Sequence, residues 1–321
     1  MTLPTVSVII PTYNRKDSLL RTLESLARQT YPADRFEVIV VDDGGTDGTA
    51  SITECAFPFA LRYLRQENQG ATVARNHGAS QSRAPFLVFV DDDMNLHPTT
   101  LERLVGQQQP QTVVLGNLIT PREIIEGSVF ARAASIDQDK QEVVEEISFQ
   151  NCMTGLLCLY REEFLHMGGF QDPTGGWPNW DDVDFGYRAY QAGYHLIRVH
   201  DALAEHWDYA LSDWRSACQR WQRAGHSGAR LFIRYPELRT QLPMFQDKGP
   251  IAWRQDSPSL ILRKLARQIA SSRLVMGGME HVIPLLERHA PHSTALRLLY
   301  RWIVSGYIYR GYREGLRALA R

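Results

Sequence analysis

The sequence predicts an α/β fold, a Rossmann-like sheet flanked by helices, followed by a helical C-terminal region. Three observations carry that expectation. Up to Val90, four short apolar runs rich in β-branched residues alternate with segments of helical periodicity, the pattern of βαβ units. Three of the runs end in polar turn chemistry: Tyr13-Asn14, Asp42-Asp43-Gly44-Gly45 and Asp91-Asp92-Asp93. From residue 213 the spacing is helical and the charge inverts, with 19 Lys+Arg against 7 Asp+Glu, where residues 1–212 hold 16 against 29. The expected boundary lies between an α/β domain, 1–212, and a basic, mainly helical region, 213–321.

The elements follow in order. Residues 5–10 read as a buried strand ending at Pro11, and Leu19, Leu20, Leu23, Leu26 and Ala27 then recur at helical spacing. Residues 36–41 and 61–64 read as strands, 71–82 as a helix, and 85–90 as a fourth strand. These strands are expected to form a parallel sheet with helices on both faces. Ligands of such sheets lie outside the carboxyl ends of the strands, so the polar groups there mark the expected site. Residues 113–118, 154–160 and 195–199 read as further strands, and the charged stretch 123–146 as partly helical. Residues 181–192 read as a helix with Asp181 as N-cap and Gly193 past its end. Helices are then expected over 214–235, 259–272, 274–289 and 293–319.

Composition narrows the function classes. A chain of 321 residues, 44% hydrophobic and 22% charged, can bury a large core. Its net charge of −1 supplies no basic field for nucleic acid, so none is expected as a partner. No apolar run reaches the roughly 18–20 residues that span a bilayer. The first ten residues carry no Lys or Arg, unlike a secretory leader. Cys55, Cys152, Cys158 and Cys218 show neither metal spacing nor a dense disulfide framework, so a reducing cytoplasm is expected.

Adjacent carboxylates at 91–93 repel unless a cation neutralises them. A hard divalent ion with oxygen ligands does this and commonly bridges carboxylates to substrate phosphates; a solvated, helix-capping turn is the structural alternative. Asp42 and Asp43 are placed to accept from a nucleobase N–H or ribose hydroxyls, or else begin a helix capped by Asp47. No Walker loop or Gly-x-Gly-x-x-Gly run follows any strand. Arg75, in a helix of small residues, suits a diphosphate or a salt bridge. Trp177 and Trp180, in a Gly-rich loop, offer a sugar-facing platform. In Asp181-Asp182-Val183-Asp184, Asp184 and Arg188 are expected to pair on the surface and Asp181 to cap, leaving Asp182 for acid–base work. His206 is a candidate metal ligand or a structural histidine.

In order, these blocks resemble the family 2 glycosyltransferases. Val6-Ser7-Val8-Ile9-Ile10-Pro11-Thr12-Tyr13-Asn14-Arg15 is similar to that family's first strand and turn. Val40-Val41-Asp42-Asp43-Gly44-Gly45-Thr46-Asp47 is similar to its second, with Gly45 where Ser is usual. Gly70 through Gly78, including Ala74-Arg75-Asn76, resembles the third block, and Asp91-Asp92-Asp93 the Asp-x-Asp metal motif. Gly168-Gly169-Phe170 resembles the segment before the acceptor loop. Asp181-Asp182-Val183-Asp184-Phe185-Gly186-Tyr187-Arg188 resembles the Glu-Asp catalytic block, with Asp181 replacing Glu. The resemblance covers residues 5–206 and does not extend to 213–321.

The resemblance implies a GT-A fold with a mixed central sheet. It implies an inverting, metal-dependent transferase that moves a sugar from a nucleotide diphosphate donor, UDP-sugar favoured, to a hydroxyl of a saccharide or lipid-linked acceptor in cell-envelope polysaccharide synthesis. Pro11, Tyr13 and Asp43 would hold the nucleobase, Asp91 the ribose, with Arg75 and Asp92 also at the donor. Asp93, joined by His206, would hold Mn²⁺ or Mg²⁺. Asp182 would be the general base, and Trp177, Trp180 and Asp181 would face the acceptor. The competing readings are a sugar-nucleotide-binding protein without turnover and a nucleotidyltransferase; residues 11–16 do not supply the triphosphate loop the latter needs. In the basic rear, Arg297, Arg301, Arg310, Arg313, Arg317 and Arg321 interleave with Tyr300, Trp302, Tyr307, Tyr309 and Tyr312. That pattern predicts either peripheral contact with the inner face of an anionic membrane or aromatics packed on the core or a second subunit.

Overall fold

The computed structural model describes residues 5–134, 143–174, 180–209 and 212–320. In chain order the elements begin β1 (Val6–Thr12), α1 (Lys16–Ala27), β2 (Phe36–Asp42), β3 (Ala60–Arg65), α2 (Ala71–Gln81), β4 (Phe86–Val90), β5 (Met94–Leu96) and α3 (Thr100–Gly106). Next come β6 (Thr112–Ile119), α4 (Arg122–Gly127), α5 (Val129–Ala134), β7 (Val144–Glu146), β8 (Leu156–Tyr160), α6 (Arg161–His166), α7 (Asp181–Gln191) and β9 (His195–His206). The helices α8 (Trp214–Arg234), α9 (Leu238–Gln241), α10 (Pro243–Gln246), α11 (Pro258–Ala270), α12 (Arg273–His289) and α13 (Thr294–Leu319) close the chain. These residues fall into two compact units. One lies within Met1–Pro121, Gln138–Asp172 and Asp181–Trp207, the other within Arg122–Asp137, Pro173–Trp180 and Asp208–Arg321. The helical unit thus draws in two segments from before residue 213.

The first unit is built on one sheet in the order β3-β2-β1-β4-β8-β6-β9-β5, with β7 beside β9. Strands β3, β2, β1 and β4 are mutually parallel, whereas β8 runs antiparallel to β4 and β6. Every residue of β1 and β2 is buried, which is why both read as continuous apolar runs rather than alternating ones. β1 does not stop at Pro11: pairing with β2 continues to Thr12 and Asp42, while pairing with β4 ends at Ile9 and Phe89. Pro11 therefore stands where only one side of the strand is paired, a position a proline tolerates. Helix α2 lies against this sheet so closely that a Cβ on Gly78 would meet Ile9 Cγ2 at 2.5 Å.

Strands β5 and β7 were not foreseen, and β9 was foreseen only in its first part. β5 has three residues, and β9 runs seven residues past its expected end, with a register shift opposite Gly116 and Asn117. Their antiparallel pairing sets Met94 opposite His206.

The helical unit has its own core, in which Trp214, Met276, Ile283, Leu296, Tyr300 and Ile303 pack together with Phe130. Helices α8 and α13 cross with their backbones nearly touching. A Cβ on Gly225 would collide with the Ile308 carbonyl, and one on Gly311 or Gly315 with the carbonyls of Gln222 or His226. Spacing between helices follows the side chains at the contact, so glycine permits this approach. Tyr300, Tyr309 and Tyr312 of α13 are buried; Tyr300 meets Phe130 edge-on, and Tyr312 packs on Phe232 and Phe245. The tyrosines at 300, 309 and 312 of α13 thus serve as core, the second of the two expectations for this helix, while Trp302 stays exposed. Among the described residues, no helix is long and apolar enough to cross a membrane.

Candidate active site

The carboxyl ends of β1, β2 and β4 surround a cavity of about 330 Å³ lined by Pro11, Thr12, Tyr13, Arg15, Asp43, Ala71, Arg75 and the Asp91–Asp93 triplet. Local backbone chemistry brings these groups in. Asn14 takes a left-handed φ of 53° after β1, a conformation Asn tolerates better than most residues, and its Oδ1 accepts from Thr46 N at 2.7 Å. Gly45 donates its N–H to Asp42 Oδ1 at 2.7 Å. A Cβ there would lie 2.9 Å from that oxygen, a physical reason for glycine in this block.

Asp43 is nearly all buried. Its Oδ1 accepts from Gln66 Nε2 and Gln69 N, and its Oδ2 from Gly70 N at 2.8 Å. Those three bonds fix the approach to α2 and leave about one of the carboxylate's four lone-pair sites for a ligand. Tyr13 is exposed at the rim.

The triplet is sorted by its partners. Asp91 Oδ1 accepts from Arg75 Nη2 at 2.5 Å. Asp92 accepts from Thr12 Oγ1 at 2.7 Å and from Arg15 Nη1 at 3.2 Å. Asp93 Oδ2 accepts from the same Arg15 nitrogen at 2.9 Å. Burial pushes Asp92 up to about 6, although Thr12 and Arg15 oppose it. Burial also raises Asp93, but His206 and Arg15 more than offset it, so its carboxyl sits below the usual range. Arg15 was not among the expected site residues. It owes its place to the turn at Asn14 and to the pairing of β1 with β4, and no local pattern announces it.

Asp93 Oδ1 is buried and lacks a hydrogen-bond partner, while His206 Nε2 lies 3.3 Å away. An orphaned carboxylate oxygen beside an imidazole suits a divalent cation. Among the described residues, no group of three or more His, Cys, Asp or Glu side chains is gathered for a metal. A cation here would have few protein ligands and leave coordination positions for phosphate oxygens, the usual arrangement for Mg²⁺ with nucleotides.

Arg75 links the triplet to α7. Its Nη1 lies 3.3 Å from Asp181 Oδ2, which also accepts from Thr72 Oγ1. Burial disfavours its charge, but Asp91 and Asp181 outweigh that, so the guanidinium stays charged. The arginine expected near the nucleotide is thus a buried bridge between two carboxylates, with one face on the cavity. Asp181 opens α7 and spends its side chain on this bridge.

Asp182, next along, accepts from Val183 N at 2.7 Å. Burial first, and the Asp181 charge second, push its carboxyl well above the usual carboxylate range. That is the environment of a base poised near neutral pH. Asp184 is fully buried rather than on the surface as expected. Arg188 Nε donates to it at 2.8 Å and Nη1 and Nη2 to the carbonyls of Met167 and Gly169. Asn76 clamps Phe170 by accepting from its N and donating to its carbonyl. These contacts fix the Gly168-Gly169 turn, where both residues have positive φ.

Trp177 lies outside the described residues. Trp180 belongs to the helical unit and is only 4% exposed. Its Nε1 donates to Ala224 O and Ser227 Oγ, and its ring packs on Phe245. Its ring face is used in packing, so the expected sugar platform at Trp180 is corrected to a core anchor.

A cavity at the carboxyl ends of parallel strands, rimmed by an acidic triplet, suits a nucleotide ligand. The model of glycosyl transferase family 2 matches residues 7–143. Glycosyltransferase AglE of Haloferax volcanii is 33% identical over 216 residues, covering 64% of this chain and 67% of that protein. The chain spans about half the length of the next curated relatives. Among solved structures, mannosyltransferase PcManGT from Pyrobaculum calidifontis, in complex with GDP-Man and Mn²⁺, aligns with a TM-score of 0.61 at 19% identity, over 98% of this chain and 89% of that one. S. aureus TarS 1–349 in complex with UDP aligns with a TM-score of 0.52 at 18% identity, over 99% and 92%. At these identities the structures speak to the fold, which is GT-A. The chain belongs to glycosyl transferase family 2 and is a glycosyltransferase.

Proposed function

We propose that this transferase moves a sugar, with inversion, from a nucleoside diphosphate donor to an acceptor hydroxyl, using Asp182 as general base. The observation that carries the reading is the bridge Arg75 makes between Asp91 of the acidic triplet and Asp181 at the head of α7, beside the half-buried Asp182 whose pKa is raised. Pro11, Tyr13 and Asp43 hold the nucleobase, with one Asp43 lone pair accepting an imide N–H, and a UDP-sugar is the favoured donor. Asp91 contacts the ribose, and Arg15 turns from Asp92 and Asp93 to the diphosphate. Asp93 and His206 hold a divalent cation, Mn²⁺ ahead of Mg²⁺ because an imidazole takes part. When bound, that cation supplies charge stabilisation to the departing nucleoside diphosphate.

Asp182 takes the proton of the acceptor hydroxyl as its oxygen bonds to the anomeric carbon. The bond from that carbon to the diphosphate oxygen breaks on the opposite face, and the nucleoside diphosphate leaves with the electron pair. Asp181 borders the acceptor, which is a saccharide or a lipid-linked sugar. All four cysteines are free thiols, which fits the cytoplasmic setting proposed here.

A panel of nucleotide sugars, assayed for nucleotide release with Mn²⁺, with Mg²⁺ and with EDTA, tests this reading. Release from one donor class that vanishes in EDTA is expected. Full turnover in EDTA would remove the metal from the scheme, and a retained anomeric configuration in the product would remove the single displacement.

A further inference from the structure

Helix α11 is amphipathic and turns its apolar side outward. Ser257 caps it by accepting from Leu260 N, and Pro258 opens it. Its inner side is polar. Lys264 Nζ donates to Asp256 Oδ2 at 2.6 Å and Pro250 O at 2.8 Å, and Arg267 Nε donates to Asp247 Oδ2 at 3.0 Å. Its outer side carries Leu262, Leu265 and Ile269 at i, i+3 and i+7, with Leu262 and Ile269 each 68% exposed. Leu274, at the start of α12, is 86% exposed, and Trp253, ahead of α11, is also exposed.

The charge around this stripe has one sign. Arg254, Arg263 and Arg273 are exposed. The single acid of residues 251–274, Asp256, is already engaged by Lys264 and by Ala252 N. We propose that α11, with Trp253 and Leu274, is an interfacial anchor that lies in the headgroup region of an anionic bilayer. An exposed Leu/Ile stripe with flanking arginines and a tryptophan at its edge is the composition that interface selects. Arginine stems follow the apolar surface while their heads reach lipid phosphates.

A second copy of this chain is the poorer occupant. Self-docking of the stripe sets arginine against arginine with no free acid in the segment to pair. A handful of exposed side chains also falls short of the about 800 Å² per partner that a stable protein interface buries. The inference stands on the helical unit alone and is independent of the proposed donor, metal and base.

The test is flotation of the full chain with phosphatidylcholine vesicles, with and without phosphatidylglycerol. The protein should float only with the anionic vesicles, and less as salt rises. Leu262→Glu with Ile269→Glu should abolish flotation while circular dichroism, melting temperature and nucleotide release stay unchanged, since both side chains are exposed. Arg263→Gln and Arg273→Gln should each weaken partitioning roughly fivefold. Failure of the intact protein to float at low salt would overturn the proposal, as would undiminished flotation of the double variant. A dimer in light scattering that the double variant turns monomeric, with vesicle binding unaffected, would make the stripe a self-interface instead.

Discussion

The two units spend their buried positions differently. The α/β unit gathers five carboxylates, Asp91, Asp92, Asp93, Asp181 and Asp182, around two arginines, and leaves Asp93 Oδ1 with only the His206 imidazole near it. The helical unit brings backbones together at Gly225, Gly311 and Gly315 and fills the rest with aromatic rings. Like charges held together in a low-dielectric pocket cost stability, whereas dense packing adds to it. A fold keeps the first arrangement where a ligand repays it, so substitutions in the two units should separate activity from stability.

The largest separation is expected at Asp182. Asp182→Asn keeps the size of the side chain and the oxygen that accepts from Val183 N, but removes the proposed base. Transfer should fall about 10²–10⁴-fold, with donor affinity and melting temperature held. Transfer within a few-fold of wild type would place the base elsewhere, Asp181 first.

Arg75 blurs the division, because its guanidinium is both a wall of the cavity and the clamp between β4 and α7. Arg75→Gln strands Asp91 and Asp181 without their cation. Breaking a buried pair from one side costs about 3–5 kcal/mol, so denaturant melts should show a marked loss along with the loss of turnover. A variant of wild-type stability would mean that the carboxylates find water or each other at little cost. In the helical unit, Gly311→Val pushes a side chain into the Gln222 carbonyl. Overpacking of this kind costs about 1–3 kcal/mol, read as a lowered melting temperature. If the variant melts like wild type, α8 and α13 can part without penalty.

What the sequence disclosed follows the same division. The parallel strands were legible because they are continuously apolar and stop at polar turns, and the acidic ends of β2 and β4 line the cavity as that pattern implies. β5 was not legible, since three residues between an acidic triplet and His97-Pro98 carry no period. The second half of β9, Asp201-Ala202-Leu203-Ala204-Glu205-His206, reads equally well as a loop. The neighbourhood of His206 and Asp93 arises from the register of two strands more than a hundred residues apart, which no local spacing encodes. Arg15 was hidden likewise, because its partners, Asp92 and Asp93, follow β4. On α13 the recurrence of aromatics on several faces was the visible sign of burial, and the tyrosines did pack inward.

The smallest expected effect concerns Asp181 and the proton. Asp182 must be unprotonated to accept the acceptor's proton, and burial together with the Asp181 charge raises its pKa above the ordinary carboxylate range. Rate is therefore lost as pH falls through that raised value, and the acid limb of kcat/KM should lie well above the pH where an exposed carboxylate titrates. Asp181→Asn removes one of the two causes and keeps an oxygen for Thr72 and Arg75. With less repulsion, Asp182 ionises more readily, its pKa drops, and the acid limb moves to lower pH. A weakened hold on Arg75, whose charge lowers the Asp182 pKa, moves the limb the other way, to higher pH, so the direction in which the limb moves separates the charge effect from the structural one. An acid limb that stays put in Asp181→Asn while Arg75 keeps its place would show that the titrating base is not the neighbour of Asp181.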